Sequence, residues 1–357
     1  MIRPETYENI ISGERGGLIA GCARGLLAGL EPIYRSGVAA RNLAYSRNWK
    51  KSHRVALPVL SVGNLTVGGT GKTPLTSWLV RSLEATGYRP AIISRGYGSQ
   101  SGQPNDEYRE LRWRCPETEH VQNPDRVAAA RQLADAGGWD ALILDDGFQH
   151  RRLHRNLDIV LIDCTRPFGF GHLLPRGMLR EPLSSLQRAD AVILTRVDQV
   201  DAGHLANVET CIRRYNSQIP LAHCCLEISR VSRTSGESFP ISDWLGELRG
   251  QTTRAFCGIG NPDAFARSLH KLLGHPVPLT PFPDHHDYSV EDLGRLVADH
   301  PEVDTWICTV KDLVKLQQLD LPGWAERLVA LWIDARLRTG EAAIMQTVQN
   351  AMRPQRS

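Results

Sequence analysis

The chain has eight cysteines in 357 residues but no C-x-x-C pair, and only Cys224 and Cys225 adjoin. Neighbouring cysteines rarely bridge well, so neither a disulfide framework nor a thiolate zinc site is expected, and a reduced compartment is. No uninterrupted apolar run reaches the roughly 18 residues a membrane-spanning helix needs. Arg24 and Glu31 interrupt the apolar stretch near the N-terminus, which argues against a secretory signal. Internal repeats and low-complexity tracts are absent. The net charge is only +3, and no nucleic-acid partner is expected from it. What remains is a globular composition, 41% hydrophobic and 23% charged, long enough for one large or two medium domains.

The charge is unevenly placed. Residues 1–55 hold nine Arg/Lys against four Glu, a local excess of +5. Within that segment Leu18, Cys22, Leu26, Leu30, Ile33 and Tyr34 recur at roughly helical spacing, with Arg15, Arg24 and Arg35 interleaved. Two readings stand: an amphipathic helix lying on an anionic membrane surface, or a helix packed on the protein's own core.

The densest chemical signal is Ser61-Val62-Gly63-Asn64-Leu65-Thr66-Val67-Gly68-Gly69-Thr70-Gly71-Lys72-Thr73-Pro74. An apolar run, Pro58 to Val62, enters a glycine-rich loop and a helical pattern leaves it. Glycines let backbone N–H groups converge on an anion, a helix N-terminus adds partial positive charge, and Lys72 adds a full one. Gly68, Gly69, Thr70, Gly71, Lys72 and Thr73 are therefore the expected nucleotide-binding residues, with the Thr73 hydroxyl placed for Mg²⁺. Pro74 fits the first helical turn, where a missing N–H costs nothing. The loop departs from G-x-x-x-x-G-K-[ST] at Thr66 and from the partitioning-ATPase form at Val67.

Downstream, apolar runs alternate with helical patterns: Ala91 to Ser94, Ala141 to Leu144, Asp158 to Ile162 and Ala189 to Leu194 read as buried strands. The alternation predicts a P-loop NTPase-like, mostly parallel sheet with helices on both faces over residues 56–220. A second series (Ala255 to Ile259, Pro262 to Leu273, Asp304 to Val310, Leu328 to Ile333) predicts a smaller α/β domain over 221–357, with the 1–55 segment standing apart. A cleft between domains is the expected ligand site.

Ala141-Leu142-Ile143-Leu144-Asp145-Asp146 is a strand ending in two acids, the pattern that places a Mg²⁺ carboxylate beside a phosphate loop. Asp145 is the expected metal ligand, and Asp146 the metal or acceptor contact. Asp106-Glu107 by itself reads as solvated charge in a polar loop. The run Phe282-Pro283-Asp284-His285-His286-Asp287-Tyr288 concentrates titratable groups without tetrahedral metal spacing. Thr195-Arg196-Val197-Asp198 is similar to the [NT]-K-x-D element with which GTPases read guanine, with Arg196 where lysine belongs.

Taken in order, these segments resemble the tetraacyldisaccharide 4'-kinase family, the lipid A 4'-kinases. The matching pieces are Arg41-Asn42-Leu43-Ala44-Tyr45, Ser61–Pro74, Ser94–Gly98, Asp125-Arg126, Asp145-Asp146-Gly147-Phe148-Gln149-His150, Leu173–Pro182, Gly258-Ile259-Gly260-Asn261-Pro262, Phe282–Tyr288 and Thr309-Val310-Lys311-Asp312. The resemblance implies ATP and Mg²⁺ as cofactors and an acylated disaccharide lipid as substrate. It also implies a peripheral or monotopic place on the cytoplasmic face of the bacterial inner membrane, with no obligate protein partner. By motif it implies Asp106 as general base supported by His285, Lys72 on the phosphates, and Thr73, Asp145 and Glu181 at the metal. Asp146, Arg95, Arg126, Gln149 and Arg180 would face the acceptor. Because Asp106 and His285 fall in different halves of the expected domain plan, closure of the domains would assemble the pair. The family's Gly-Asp-Glu-Pro here reads Asn105-Asp106-Glu107-Tyr108, its Pro-Ala-Gly-Pro-Leu-Arg-Glu-Pro loop reads Pro175–Pro182, and Val310 replaces a glutamate. Two rival readings follow: a nucleotide-dependent switch, from Thr195–Asp198, and a silent lipid-binding relative, from the altered Asp106 loop.

Overall fold

A computed structural model describes residues 4–96, 104–248 and 250–353. In chain order it forms α1 (Pro4–Ser12), α2 (Leu18–Ser46), β1 (Val59–Asn64), α3 (Lys72–Ala85), β2 (Pro90–Ser94), α4 (Asp106–Arg114), β3 (His120–Gln122), α5 (Arg126–Ala136), β4 (Ala141–Asp145), β5 (Leu157–Asp163), β6 (Ala191–Thr195) and α6 (Ala202–Tyr215). There follow β7 (Leu221–Arg233), β8 (Ser238–Pro240), α7 (Ile241–Glu247), β9 (Thr253–Cys257), α8 (Pro262–Leu273), β10 (Leu279–Pro281), α9 (Val290–Ala298), β11 (Thr305–Thr309), α10 (Val310–Leu316), β12 (Leu328–Thr339) and α11 (Glu341–Met352).

The chain divides into two compact units: Met1–Tyr97 with Cys115–Cys225 and Leu337–Ser357, and Gly98–Arg114 with Leu226–Arg336. This differs from the plan of 1–55, 56–220 and 221–357. Residues around α4 leave the first half of the sequence to join the second unit, and α11 returns to the first. The physical cause is apolar. Trp113 on α4 packs with Trp306, Leu313 and Trp332, while Ile344, Val348 and Met352 are buried along α11. Asp106 also opens a helix rather than sitting in a polar loop, its first turn fixed by a bond from Tyr108 N–H to the Asn105 side chain (2.9 Å).

In the first unit the strand order is β7-β6-β5-β1-β4-β2-β3, and every neighbouring pair is parallel. Strands β1, β2, β4, β5 and β6 are buried at every position, as parallel strands covered on both faces must be. One set of side chains, including Val160, Ile162, Val192 and Leu194, packs with Val208 and Ile212 of α6. Another, including Val59, Ile93, Leu142 and Leu144, packs with Val127, Ala130 and Leu133 of α5. Because β1 lies between β4 and β5, the loop after β1 opens beside the end of β4, where Asp145 stands opposite Val62.

The second unit carries β10-β9-β11-β12-β7, with β8 antiparallel on β7. Its core includes Phe256, Tyr288, Trp306 and Trp332. Among the described residues no helix is long and apolar enough to cross a membrane. Helix α2 buries Ala20, Glu31 and Val38, while Leu18, Ile19, Leu26 and Ile33 are each more than two-thirds exposed.

Candidate active site

The loop after β1 has the backbone an anion cradle needs. Gly68 (φ 104°) and Gly71 (φ 90°) occupy the left-handed region that glycine enters without steric cost, and Gly71 caps α3 so that Lys72 is the first helical residue. Before the loop, a Cβ on Gly63 would stand 2.7 Å from Phe148 Cβ and 2.8 Å from its backbone nitrogen, so only glycine fits. The loop is held from two sides. Val67 N–H donates to Met178 O (2.8 Å) and Arg180 N–H to Leu65 O (2.7 Å), tying it to the 173–180 segment. Thr195 Oγ1 donates to the Thr70 carbonyl (3.1 Å). Thr70 is buried with no hydrogen-bond partner at its own hydroxyl, a polar atom that an anion in the cradle would satisfy.

Around this loop the structure collects five of the expected residues. Asp146 has φ 49°, uncommon for a non-glycine residue, and this turn directs its carboxylate to Arg180 (2.9 and 3.0 Å) and within 3.8 Å of Lys72 Nζ. Arg126 donates to the Asp146 carbonyl (2.8 Å). Gln149 donates to Asn64 O (2.8 Å) and accepts from Arg180 (3.3 Å). Burial would raise the Asp146 pKa, but Lys72, Arg180 and Arg126 prevail and hold it down to about 2. Three cations around one carboxylate leave net positive charge at the mouth of the loop, suited to a polyphosphate. Asp145 is buried at the end of β4 and accepts from Thr76 on α3 (3.0 Å). Arg95 is exposed just beyond β2. Tyr97 and Gly98, the rest of that motif, lie outside the described residues.

Glu181 is placed differently from the expectation of a metal ligand. Its side chain is fully buried, and both oxygens are taken: Oε1 by Arg41 (2.6 Å), Oε2 by Asn42 (3.2 Å), Ser185 (2.8 Å) and Arg188 (2.7 Å). Burial opposes its charge, yet Arg188, Ser185 and Arg41 keep the pKa low. A carboxylate bound this way is a buttress joining α2 to the 173–185 segment. Tyr34 adds a bond to the Arg180 carbonyl (3.1 Å), and Arg188 covers the Phe148 ring at 3.4 Å.

In the second unit Asp106 and His285 are already paired, so no closure of domains is needed to assemble them. Nδ1 of His285 lies 2.9 Å from Asp106 Oδ2 and 3.1 Å from Oδ1. His285 sits at φ 61°, a strained turn held by its N–H to Gly258 O (3.3 Å) and Asp284 Oδ1 (3.1 Å). Burial alone would raise the Asp106 pKa; the bond from His285 and the charges of Lys311 and Lys315 hold it far below the carboxylate range. The same bond raises His285 above its ordinary value, against burial and Lys311. The Gly258–Pro262 and Thr309–Asp312 segments frame the pair. Asp312 is buried and accepts from Gly258 N–H (2.9 Å), the Tyr288 hydroxyl (2.9 Å) and Thr309 Oγ1 (2.7 Å).

The guanine-reading element does not survive. Arg196, at φ 55°, is turned into a buried ion pair with Asp163, which also accepts from Thr165. A side chain so engaged is not available to pack along a base. Sequence reasoning also passed over Thr76, Lys311 and Lys315, and over the roles of Arg41, Asn42 and Thr195. Arg41, Asn42 and Lys311 lay in strings marked by resemblance to the kinase family, and Thr195 in the string similar to the guanine-reading element.

A parallel sheet with a glycine-rich loop between β1 and α3, and paired acids at the end of the neighbouring strand, defines a phosphate-loop nucleotide-binding protein. The family profile described as LpxK, Tetraacyldisaccharide-1-P 4'-kinase, matches residues 23–353. The tetraacyldisaccharide 4'-kinase of Anaeromyxobacter sp. (strain Fw109-5) is 37% identical over 343 residues, 90% of each chain. That of Geobacter sulfurreducens is 36% identical over 327 residues, 87% of this chain and 89% of the relative. The crystal structure of LpxK from Aquifex aeolicus in complex with ATP superposes with a TM-score of 0.72 at 29% identity, covering 93% of this chain and all of that one. The chain belongs to the tetraacyldisaccharide 4'-kinase family.

Proposed function

We propose that this chain transfers the γ-phosphate of ATP to the 4'-hydroxyl of a tetraacylated glucosamine disaccharide 1-phosphate; its relatives are named as 4'-kinases of a tetraacyldisaccharide. The observation that carries this reading is the Asp106–His285 pair at 2.9 Å in a chain that also builds a phosphate loop. A phosphate loop alone serves hydrolysis or switching; a buried acid paired with a solvent-accessible imidazole adds the means to take a proton from an alcohol. The hydroxyl oxygen forms its bond to the γ-phosphorus as the bond to the β–γ bridging oxygen breaks, and ADP leaves. The hydroxyl proton passes to the Asp106–His285 pair.

Lys72 and the backbone N–H groups of Gly68–Thr73 would hold the β- and γ-phosphates. Arg126, Arg180, Gln149 and Asp146, bonded to one another, would orient the acceptor, with Arg95 a further contact. The donor set suits Mg²⁺: the Thr73 hydroxyl and the Asp145 carboxylate are hard oxygens, the kind this ion takes alongside phosphate oxygens. Glu181 does not fit that set. Mg²⁺, when bound there, neutralises charge on the transferring phosphoryl group.

The exposed apolar face of α2 supports binding at a membrane surface. Leu18, Ile19, Leu26, Leu30 and Ile33 are exposed, and each contributes on the order of 1–2 kcal/mol when taken out of water. A substrate with four acyl chains stays in the bilayer, so the enzyme meets it there, on the side where ATP is present. The test is transfer of label from [γ-³²P]ATP to the tetraacyl disaccharide 1-phosphate in detergent micelles. Label in the lipid is expected, and none from well-folded protein would overturn the assignment.

A further inference from the structure

Helix α10 delivers two lysines to the Asp106–His285 pair that the proposed reaction leaves without a role. Lys311 and Lys315 are four residues apart and so share one face of the helix. Their side chains are only 16% and 9% exposed, and a buried ammonium is costly unless paired. Lys315 Nζ lies 3.2 Å from Asp106 Oδ2, the oxygen that also meets His285 Nδ1, and donates to the His286 carbonyl (3.0 Å). Lys311 Nζ donates to Asp284 Oδ1 (2.9 Å), stands 3.7 Å from Asp106 Oδ2, and is 3.5 Å from His285 Nε2.

The helix that carries them is itself rigidly based. Thr309 and Asp312 form a reciprocal capping box, and the same Asp312 binds Gly258 N–H and Tyr288. From α4 come Asp106 and Glu107, from the 282–288 segment Asp284, His285 and His286, and from α10 the two lysines. One carboxylate needs one cation to be paired. Here two cations crowd the pair from different positions: Lys315 on the same Asp106 oxygen that meets His285 Nδ1, and Lys311, bonded to Asp284, beside Nε2 of the imidazole partner.

We propose that Lys311 and Lys315 are positioning residues of the acid–imidazole pair: Lys315 locks the Asp106 carboxylate in the orientation that holds His285 Nδ1, and Lys311 sets its charge against His285 Nε2 so that this nitrogen stays free of a proton. The inference rests on the phosphoryl-transfer reading above. A cation beside an imidazole disfavours the imidazolium. Asp106 pulls the other way, raising His285, and Lys311 counters it. Lys311 thus limits how far Asp106 and Asp284 raise the imidazole, which favours an Nε2 able to accept a proton.

The experiment uses the full chain with ¹⁵N-labelled histidine, reading the His285 titration by NMR alongside kcat and KM for ATP across pH. In Lys311→Met the His285 pKa is expected to rise by about one unit, with the acid limb of kcat moving up by the same amount and KM for ATP changing less than about twofold. In Lys315→Met kcat is expected to fall about 10²-fold throughout the profile, from a misplaced base, with Lys315→Arg recovering at least about tenfold. An unmoved His285 titration in Lys311→Met, or a kcat within about twofold of the parent in a Lys315→Met variant that melts normally, would overturn the proposal. If Lys315→Met does not fold, Lys315→Arg and Lys311→Met decide: a charge-keeping variant as impaired as a charge-removing one refutes it. Should the parent transfer no phosphate to the lipid, the functional reading fails, and the NMR titration still tests the charge balance.

Discussion

Replacing Glu181 by glutamine is the sharpest test of how this site is built. The substitution keeps the size of the side chain and removes its charge. Two arginines, Arg41 at 2.6 Å and Arg188 at 2.7 Å, then face a neutral amide whose own N–H₂ points at one of them. Breaking a buried pair by removing one partner costs about 3–5 kcal/mol, because a charge is left uncompensated. Arg41 is 35% exposed and recovers some hydration, while Arg188 is only 20% exposed and recovers less, so we expect about 3 kcal/mol. For a chain of 357 residues that lowers Tm by roughly 4 °C in a thermal scan. The exposed Arg89–Asp140 pair provides the contrast: Arg89→Ala should move stability by less than about 0.5 kcal/mol. The sign of the pH dependence also follows. The folded pKa of Glu181 lies below its unfolded value, so its stabilisation is fully present above the unfolded carboxylate range and is lost as pH falls through the folded pKa. A Glu181→Gln variant melting with the parent but requiring far more Mg²⁺ would refute this reasoning and restore the residue to the metal.

Asp106→Asn should reduce kcat by about 10²–10⁴-fold with KM for ATP nearly unchanged, measured by steady-state transfer to the lipid. In the parent, activity should fall on acidification through a pKa above 6.5, because His285 is raised by Asp106 and its protonated form cannot accept a proton. Gly63→Ala should lower stability by about 1–3 kcal/mol and weaken ATP binding, read by denaturant melts and nucleotide titration, since its Cβ meets the Phe148 backbone. Leu26→Glu with Ile33→Glu should abolish sedimentation with anionic vesicles while leaving Tm unchanged; a shifted Tm with binding retained would place that face inside the protein.

The phosphate loop was legible because its chemistry is local. Gly71-Lys72-Thr73 after a short apolar strand says what the backbone will do without knowledge of any distant residue. The same holds for Asp145 and Asp146 after four apolar residues, and for Pro262–Leu273, whose helix ends where its pattern does. The pairing of Asp106 with His285 was legible by resemblance alone, since nothing near Asn105-Asp106-Glu107-Tyr108 announces a partner 179 residues away. The partners of Glu181 were hidden for a related reason. An acid in a short charged string is equally suited to a cation of metal or of arginine, and the two arginines that meet Glu181 come from 140 and 7 residues away.

The amino-acid sequence by itself determined the parallel α/β core, the anion cradle and the acids at the end of β4, because strand burial, glycine conformation and helix starts are set within a few residues. The tertiary structure decided the rest. It moved α4 into the second unit by burying Trp113, turned Arg196 into an ion pair with Asp163, and closed Arg41 and Arg188 on Glu181. It also brought Lys311 and Lys315 to Asp106. Each of these depends on which charges share a low-dielectric interior, and that is settled by contacts between residues far apart in the chain.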